Sequence, residues 1–124
     1  MVFNALTSRV SMVRVVLRHL NGARSAQADV LDIDAQSEVV LGPAGATTVQ
    51  VASSAAELAD RPRARLIPVE GNGRRFVLVD LESPEGVYVN HKRVVDAVLL
   101  RPGDVIQLGE AGAEIEFRIE GVLL

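Results

Sequence analysis

Apolar residues in this chain recur mostly at every second position. The alternation is cleanest near the end, where Ile115, Phe117 and Ile119 fall on one side and Glu114, Glu116, Arg118 and Glu120 on the other. This predicts a strand with one dry and one wet face. Near the start, Val13, Val15 and Leu17 alternate with Arg14, Val16 and Arg18. Val10, Val13, Leu17 and Leu20 also fall at helical spacing, but the density of β-branched residues favours a strand. Asn21-Gly22 follows directly and suits the left-handed dihedrals of a two-residue hairpin turn, so a returning strand is expected over 25–33.

Further on, 38–41 reads as a strand ending in the turn Gly42-Pro43-Ala44-Gly45, and 47–51 as another. Ser54 and Glu57 stand at capping-box spacing and predict one helical turn inside a loop. Residues 65–69 and 75–81 flank Gly71-Asn72-Gly73 as a hairpin. Short strands are expected over 87–89, 94–99 and 105–108, with Pro102-Gly103 as a turn. Many short strands, frequent turn residues and no long amphipathic helix predict an all-β protein, a two-sheet antiparallel β-sandwich of about 10–11 strands with its termini close together. The expected core is Val13, Val15, Leu41, Leu66, Val77, Val79, Val89, Ile106, Leu108, Ile115, Phe117 and Ile119.

A length of 124 residues suits one domain, taken as 10–124 after an N-terminal extension over 1–9. The absence of cysteine excludes disulfides, thiolate metal sites and a cysteine nucleophile. Thirteen basic against sixteen acidic residues give a net charge of −3, which provides no global attraction for nucleic acid or anionic lipid. One tyrosine and no tryptophan make a base-stacking platform an unsuitable reading. No apolar run approaches the ~20 residues of a membrane helix, and the opening residues lack a basic start followed by an apolar run. The expectation is a cytoplasmic domain without direct membrane contact, while the apolar close Gly121-Val122-Leu123-Leu124 is consistent with a piece of a longer protein.

Chemistry is sparse. His19 and His91 are isolated from any nucleophile or metal-ligand spacing and are expected at the surface or at strand edges. Asp29, Asp32 and Asp34 lack calcium-loop spacing. The run 42–48 has no lysine before its threonines and no following helix to hold a phosphate. Neither a metal, a cofactor nor catalysis is expected.

The stretch from Glu82 to Asn90, followed by Leu100-Arg101-Pro102-Gly103-Asp104-Val105-Ile106-Gln107-Leu108-Gly109, resembles the second half of a forkhead-associated (FHA) domain, a phosphothreonine-reading β-sandwich. Asp80, Ser83, Gly86, Val89, Asn90, Leu100, Gly103, Asp104, Ile106, Leu108 and Gly109 follow the family's order and spacing. Several have structural work of their own: Gly86 can open a turn, Gly103-Asp104 can turn into a strand, and Asn90 can satisfy loop amides.

The positions that the resemblance assigns to phosphate reading depart from the family pattern. Pro43 stands where an Arg after glycine meets the phosphate, and it lacks both charge and amide hydrogen. The family's Ser-Arg-x-His-Ala falls on Asp60-Arg61-Pro62-Arg63-Ala64, so Asp60 replaces the phosphate-bonding Ser and Arg63 the buried His that braces the loop. Glu85 replaces the Asn that orders the loops. At ~5 Å and an effective dielectric of ~20, one carboxylate and one phosphate charge repel by roughly 3 kcal/mol. Against this stand Arg61, Arg63 and Arg65, which can share one side, and a secondary basic patch of Arg74 and Arg75; arginine clusters bind phosphates through forked bonds.

The resemblance therefore implies a degenerate FHA-like interaction module for a protein partner of unknown identity, non-catalytic and phosphate-independent, with phosphothreonine peptides bound weakly or not at all. Its candidate surface comprises Pro43, Asp60, Arg61, Arg63, Arg65, Ser83, Glu85 and Gly86. Two alternatives stay open: weak phosphopeptide or acidic-peptide binding through the arginines, and a structural or oligomerisation role in a larger assembly.

Overall fold

The computed structural model describes residues 12–34, 37–42, 49–50, 63–69, 75–82, 84–110 and 112–123. Eleven strands lie among them: β1 (Met12–His19), β2 (Ala28–Ile33), β3 (Val39–Gly42), β4 (Val49–Gln50), β5 (Ala64–Pro68), β6 (Phe76–Asp80), β7 (Val87–Val89), β8 (Lys92–Arg93), β9 (Ala97–Leu100), β10 (Val105–Leu108) and β11 (Ala113–Leu123). They form a six-stranded sheet in the order β2-β1-β11-β10-β7-β8 and a five-stranded sheet in the order β4-β3-β5-β6-β9. The pairings are antiparallel except for the short parallel contact of β3 with β4. Met12 pairs with Leu123, so the two ends of the described chain lie side by side.

The expected alternation holds where one face of a strand is polar. On β1, Val13, Val15 and Leu17 are buried, and on β11 Ile115 and Phe117 are buried with Ile119 partly buried against the same core. Phe76 of one sheet and Phe117 of the other meet edge to face, with ring centroids 5.7 Å apart and planes at 68°. This is a favoured aromatic geometry that ties the two sheets together at the centre.

Strand β6 corrects the expected core. Phe76 and Leu78 are the buried residues, while Val77 and Val79 are only partly buried and face outward. Its sequence, Phe-Val-Leu-Val, is apolar on both sides, so period-2 reading has no polar position to set the phase. Outward, Val77 lies between Ile67 of β5 and Leu99 of β9, and Val79 between Arg65 and Ala97. The outer face of the five-stranded sheet is consequently largely apolar. The six-stranded sheet presents charges instead: Arg14 pairs with Asp32 at 2.8 Å, and Arg18 and Arg118 both approach Glu116.

The connection from β1 to β2 also differs from a two-residue hairpin. Residues 20–27 intervene and hold a short 3-10 turn at Gly22–Arg24. Gly22 does adopt a left-handed φ of +78°, but Asn21 is extended and uses its side chain elsewhere, accepting the Glu114 amide at 2.9 Å. A true two-residue hairpin occurs at Asn90-His91, between β7 and β8, with left-handed φ values of 51° and 69° at both central residues. Asn90 then fastens this turn to the one before β10: its amide donates to Asp104 at 2.9 Å and its carbonyl oxygen accepts the Val105 amide at 3.0 Å. Asp104 accepts the Arg101 amide with its other oxygen.

The expected helical turn at Ser54–Glu57 and the extension over 1–9 lie outside the described residues, and the only helical segment among the described residues is the 3-10 turn.

Candidate binding surface at the loop pole

Antiparallel connectivity places several turns at one end of the sandwich, and backbone bonds tie them together. The Arg63 amide donates to Leu41 at the end of β3, Leu81 donates to Arg63, Asp80 donates to Asp96 between β8 and β9, and Gly109 donates to Gly86. These bonds gather the start of β5, the segment 81–86 and the turn after β10 into one pole. The turn that joins β7 to β8 lies at the opposite end.

At the centre of the loop pole Arg63 donates from Nη1 to Glu85 Oε1. The arginine side chain is 3% exposed and the glutamate 28%. A guanidinium this deep is stable only when paired and hydrogen-bonded. Arg63 and Glu85, which the resemblance sets at the loop-bracing and loop-ordering positions, are therefore partners across 22 positions of sequence.

Gly86 and Gly109 make room for this arrangement. Both have left-handed φ values, +83° and +99°. A Cβ on Gly86 would press on the Arg93 guanidinium at 3.1 Å, and one on Gly109 would touch the Glu85 side chain at 3.4 Å. The result is a cleft of about 330 Å³ whose walls include Pro84, Glu85, Tyr88, Arg93 and Glu110. Its lining carries both signs of charge.

Among the described residues, Arg63 and Arg65 do not share one exposed side. Arg63 turns inward to Glu85, whereas Arg65 lies on the outer face of the five-stranded sheet and pairs with Glu38 at 2.9 Å. Arg75 is exposed just before β6, at the end opposite the loop pole. Pro43, Asp60, Arg61, Ser83 and Arg74 lie outside the described residues. Leu41, Gly42 and Arg63, next to the first three of these, and Glu85 and Gly86 beside Ser83, are described.

His19 departs from the surface or strand-edge position expected for an isolated histidine, lying on the buried face that Val13, Val15 and Leu17 share. It is 3% exposed rather than at a surface or edge, and its Nε2 lies 2.7 Å from Asp29 Oδ2. Arg24 grips the same carboxylate with two guanidinium nitrogens at 2.9 and 3.1 Å. Burial alone would raise the Asp29 pKa, but bonds from Arg24 and then His19 outweigh it and hold the carboxyl below its ordinary value. Arg24 and Asp29 are five residues apart across the turn into β2, a spacing that signals nothing without the pairing of β1 with β2. The cluster closes a turn and has no open coordination side; among the described residues no group of three or more histidine or acidic side chains could hold a metal ion. No described helix is long and apolar enough to cross a membrane.

The FHA-domain family model matches residues 59–109. Among solved structures, full-length yeast Pml1p aligns with a TM-score of 0.67 at 17% identity, covering 94% of this chain and 90% of that one. The FHA domain of a Chlamydia trachomatis protein aligns with a TM-score of 0.66 at 19% identity, covering 85% and 96%. An FHA domain studied for phosphothreonine-dependent interactions aligns with a TM-score of 0.63 at 24% identity, covering 85% and 95%. Nothing among curated proteins matches the sequence. The chain has the FHA-domain fold, as expected from residues 80–109.

Proposed function

We propose that this FHA-fold domain is a non-catalytic protein–protein interaction module that docks its partner at the loop pole without reading a phosphate. The observation that carries the reading is the Arg63–Glu85 ion pair. A phosphate-reading pole needs donors left open to an anion, and here the guanidinium nearest the centre is consumed by a carboxylate of the same domain. An incoming phosphate would have to break that pair, leaving Glu85 to repel it.

The rest of the pole is suited to a protein surface of mixed charge. Glu85, Glu110 and Arg93 line the cleft together, a mixture of signs that favours charge-complementary docking over a bare polyanion. Pro43, Asp60, Arg61 and Ser83, with Glu85 and Gly86, are proposed as the partner's contacts. The reading by an arginine cluster loses support, because Arg63 and Arg65 are separated and each has an acidic partner.

Calorimetric titration with phosphothreonine peptide libraries and matched threonine libraries tests the proposal. No phosphate-dependent binding is expected. Micromolar affinity that disappears on dephosphorylation overturns it.

A further inference from the structure

A second surface lies on the flank of the sandwich, where β8 and β9 end their respective sheets. A groove of about 510 Å³ runs between them, lined with the apolar Val94, Val95, Val98 and Leu99 and with Lys92, Arg93 and Arg101. Val95 is 79% exposed and Leu99 48%. None of the three cations has an ion pair with a described residue. The acid in the lining, Asp104, spends its two oxygens on Asn90 and on the Arg101 amide. Arg93 also faces Glu85 and Glu110 across the loop-pole cleft, so the positive charge without an acidic partner among the described residues is that of Lys92 and Arg101, in a protein of net charge −3.

The backbone adds direction. Asp80 donates to Asp96, and these residues continue the antiparallel register of β6 with β9. Hydrogen-bonded pairs alternate along such a ladder, so Val98 and Leu100 turn their backbone groups toward β6, while Ala97 and Leu99 turn theirs to the open edge. The Ala97 amide is already used by the Val95 carbonyl. The Leu99 amide and carbonyl and the Ala97 carbonyl remain as an edge template. Side chains alternate in the same way: Leu99 extends the outer apolar row of Ile67 and Val77, whereas Val98 faces the groove.

We infer that the β9 edge receives an extended segment of a partner protein by strand addition, with acidic side chains facing Lys92 and Arg101 and apolar side chains continuing the row that ends at Leu99. Main-chain bonds to Leu99 hold the added strand, and its two alternating faces give the specificity. Arg93 lines both this groove and the loop-pole cleft, but the β9 edge, Lys92 and Arg101 belong to this site alone and carry the inference independently of the function proposed at the pole.

The test uses the whole domain and a blocked seven-residue peptide alternating Glu with Val or Ile. Controls are the same peptide with Lys for Glu, and one methylated on the backbone nitrogens that would face β9. Titration followed by amide NMR should show binding of the acidic peptide alone, with slowed exchange of the Leu99 amide. The exposed double variant Lys92→Glu/Arg101→Glu, checked for unchanged folding, should bind about tenfold more weakly. Equal binding of the lysine or N-methylated peptide overturns the inference. So does equal competition by heparin, which would make the groove a general polyanion site. Closure of the edge by a second copy of the chain, seen as a dimer with a protected Leu99 amide and no peptide binding, overturns it as well.

Discussion

Arg63 and Glu85 form an ion pair at the loop pole in which the cation is the more deeply buried partner, 3% exposed against 28%. This asymmetry makes the two residues unequal under mutation. Removing Glu85 takes one acidic partner from a buried guanidinium, while removing Arg63 leaves a carboxylate that water can reach. Glu85→Ala is expected to cost about 3 kcal/mol, and Arg63→Met clearly less. Urea midpoints for the two single variants and the double variant check the order. A costlier Arg63→Met would contradict it.

The same pair constrains any attempt to rebuild phosphate reading. Glu85→Asn on its own should destabilise the domain, because it removes the Glu85 carboxylate from a buried guanidinium. Arg63→His with Glu85→Asn should retain more stability than Glu85→Asn alone, since it removes the buried guanidinium together with its carboxylate. Adding Asp60→Ser to that background should raise affinity for phosphothreonine peptides, measured by calorimetry, although Pro43 still leaves the principal guanidinium absent.

Phe117 and Phe76 join the sheets across the core. Phe117→Ala should cost about 3–5 kcal/mol through lost transfer energy and the cavity left behind. In a double-mutant cycle with Phe76→Ala, a coupling of about 0.5–1.5 kcal/mol is expected for the edge-to-face contact. Denaturant midpoints near that of the wild type for Phe117→Ala would contradict the central placement of this ring.

Acid should weaken the link between β1 and β2. The folded pKa of Asp29 lies below its ordinary value, so its contribution is fully present above about pH 4 and is lost as pH falls through the depressed folded value. Asp32, through its hydrogen bond from Arg14, and Glu116, through that from Arg118, are shifted in the same direction. Asp29→Asn should be less stable than wild type at pH 7, with the difference narrowing below about pH 4. Urea unfolding as a function of pH reads this directly, and a difference that widens in acid would reverse the assignment.

Asn90 has two roles, a left-handed φ of 51° and two side-chain bonds to the neighbouring turn. Asn90→Gly removes the bonds but leaves a residue that adopts the left-handed region freely, whereas Asn90→Ala removes the same bonds and keeps a Cβ there without the side-chain bonding that makes Asn tolerable, at an added cost of about 1 kcal/mol. Thermal unfolding should therefore rank wild type above Asn90→Gly and Asn90→Gly above Asn90→Ala.

Alternation along the chain sufficed wherever a strand has one polar face: β1 and β11 are oriented as their patterns require, and the β5–β6 hairpin follows from its apolar runs and intervening glycines. The motif over 80–109 also carried the fold, because Gly86, Asn90, Gly103 and Asp104 impose local turn geometry that depends little on the rest of the chain. The inward face of β6 was different. With apolar residues on both sides, its phase is set by pairing with β5 and β9, which buries Phe76 and Leu78 and leaves Val77 and Val79 outward. The charged residues show the same division. Arg63, Glu85 and His19 are conspicuous one at a time, but a charge or a polar ring becomes buried only when a partner from another strand or loop offsets its desolvation, and such partners meet only once the sheets have assembled.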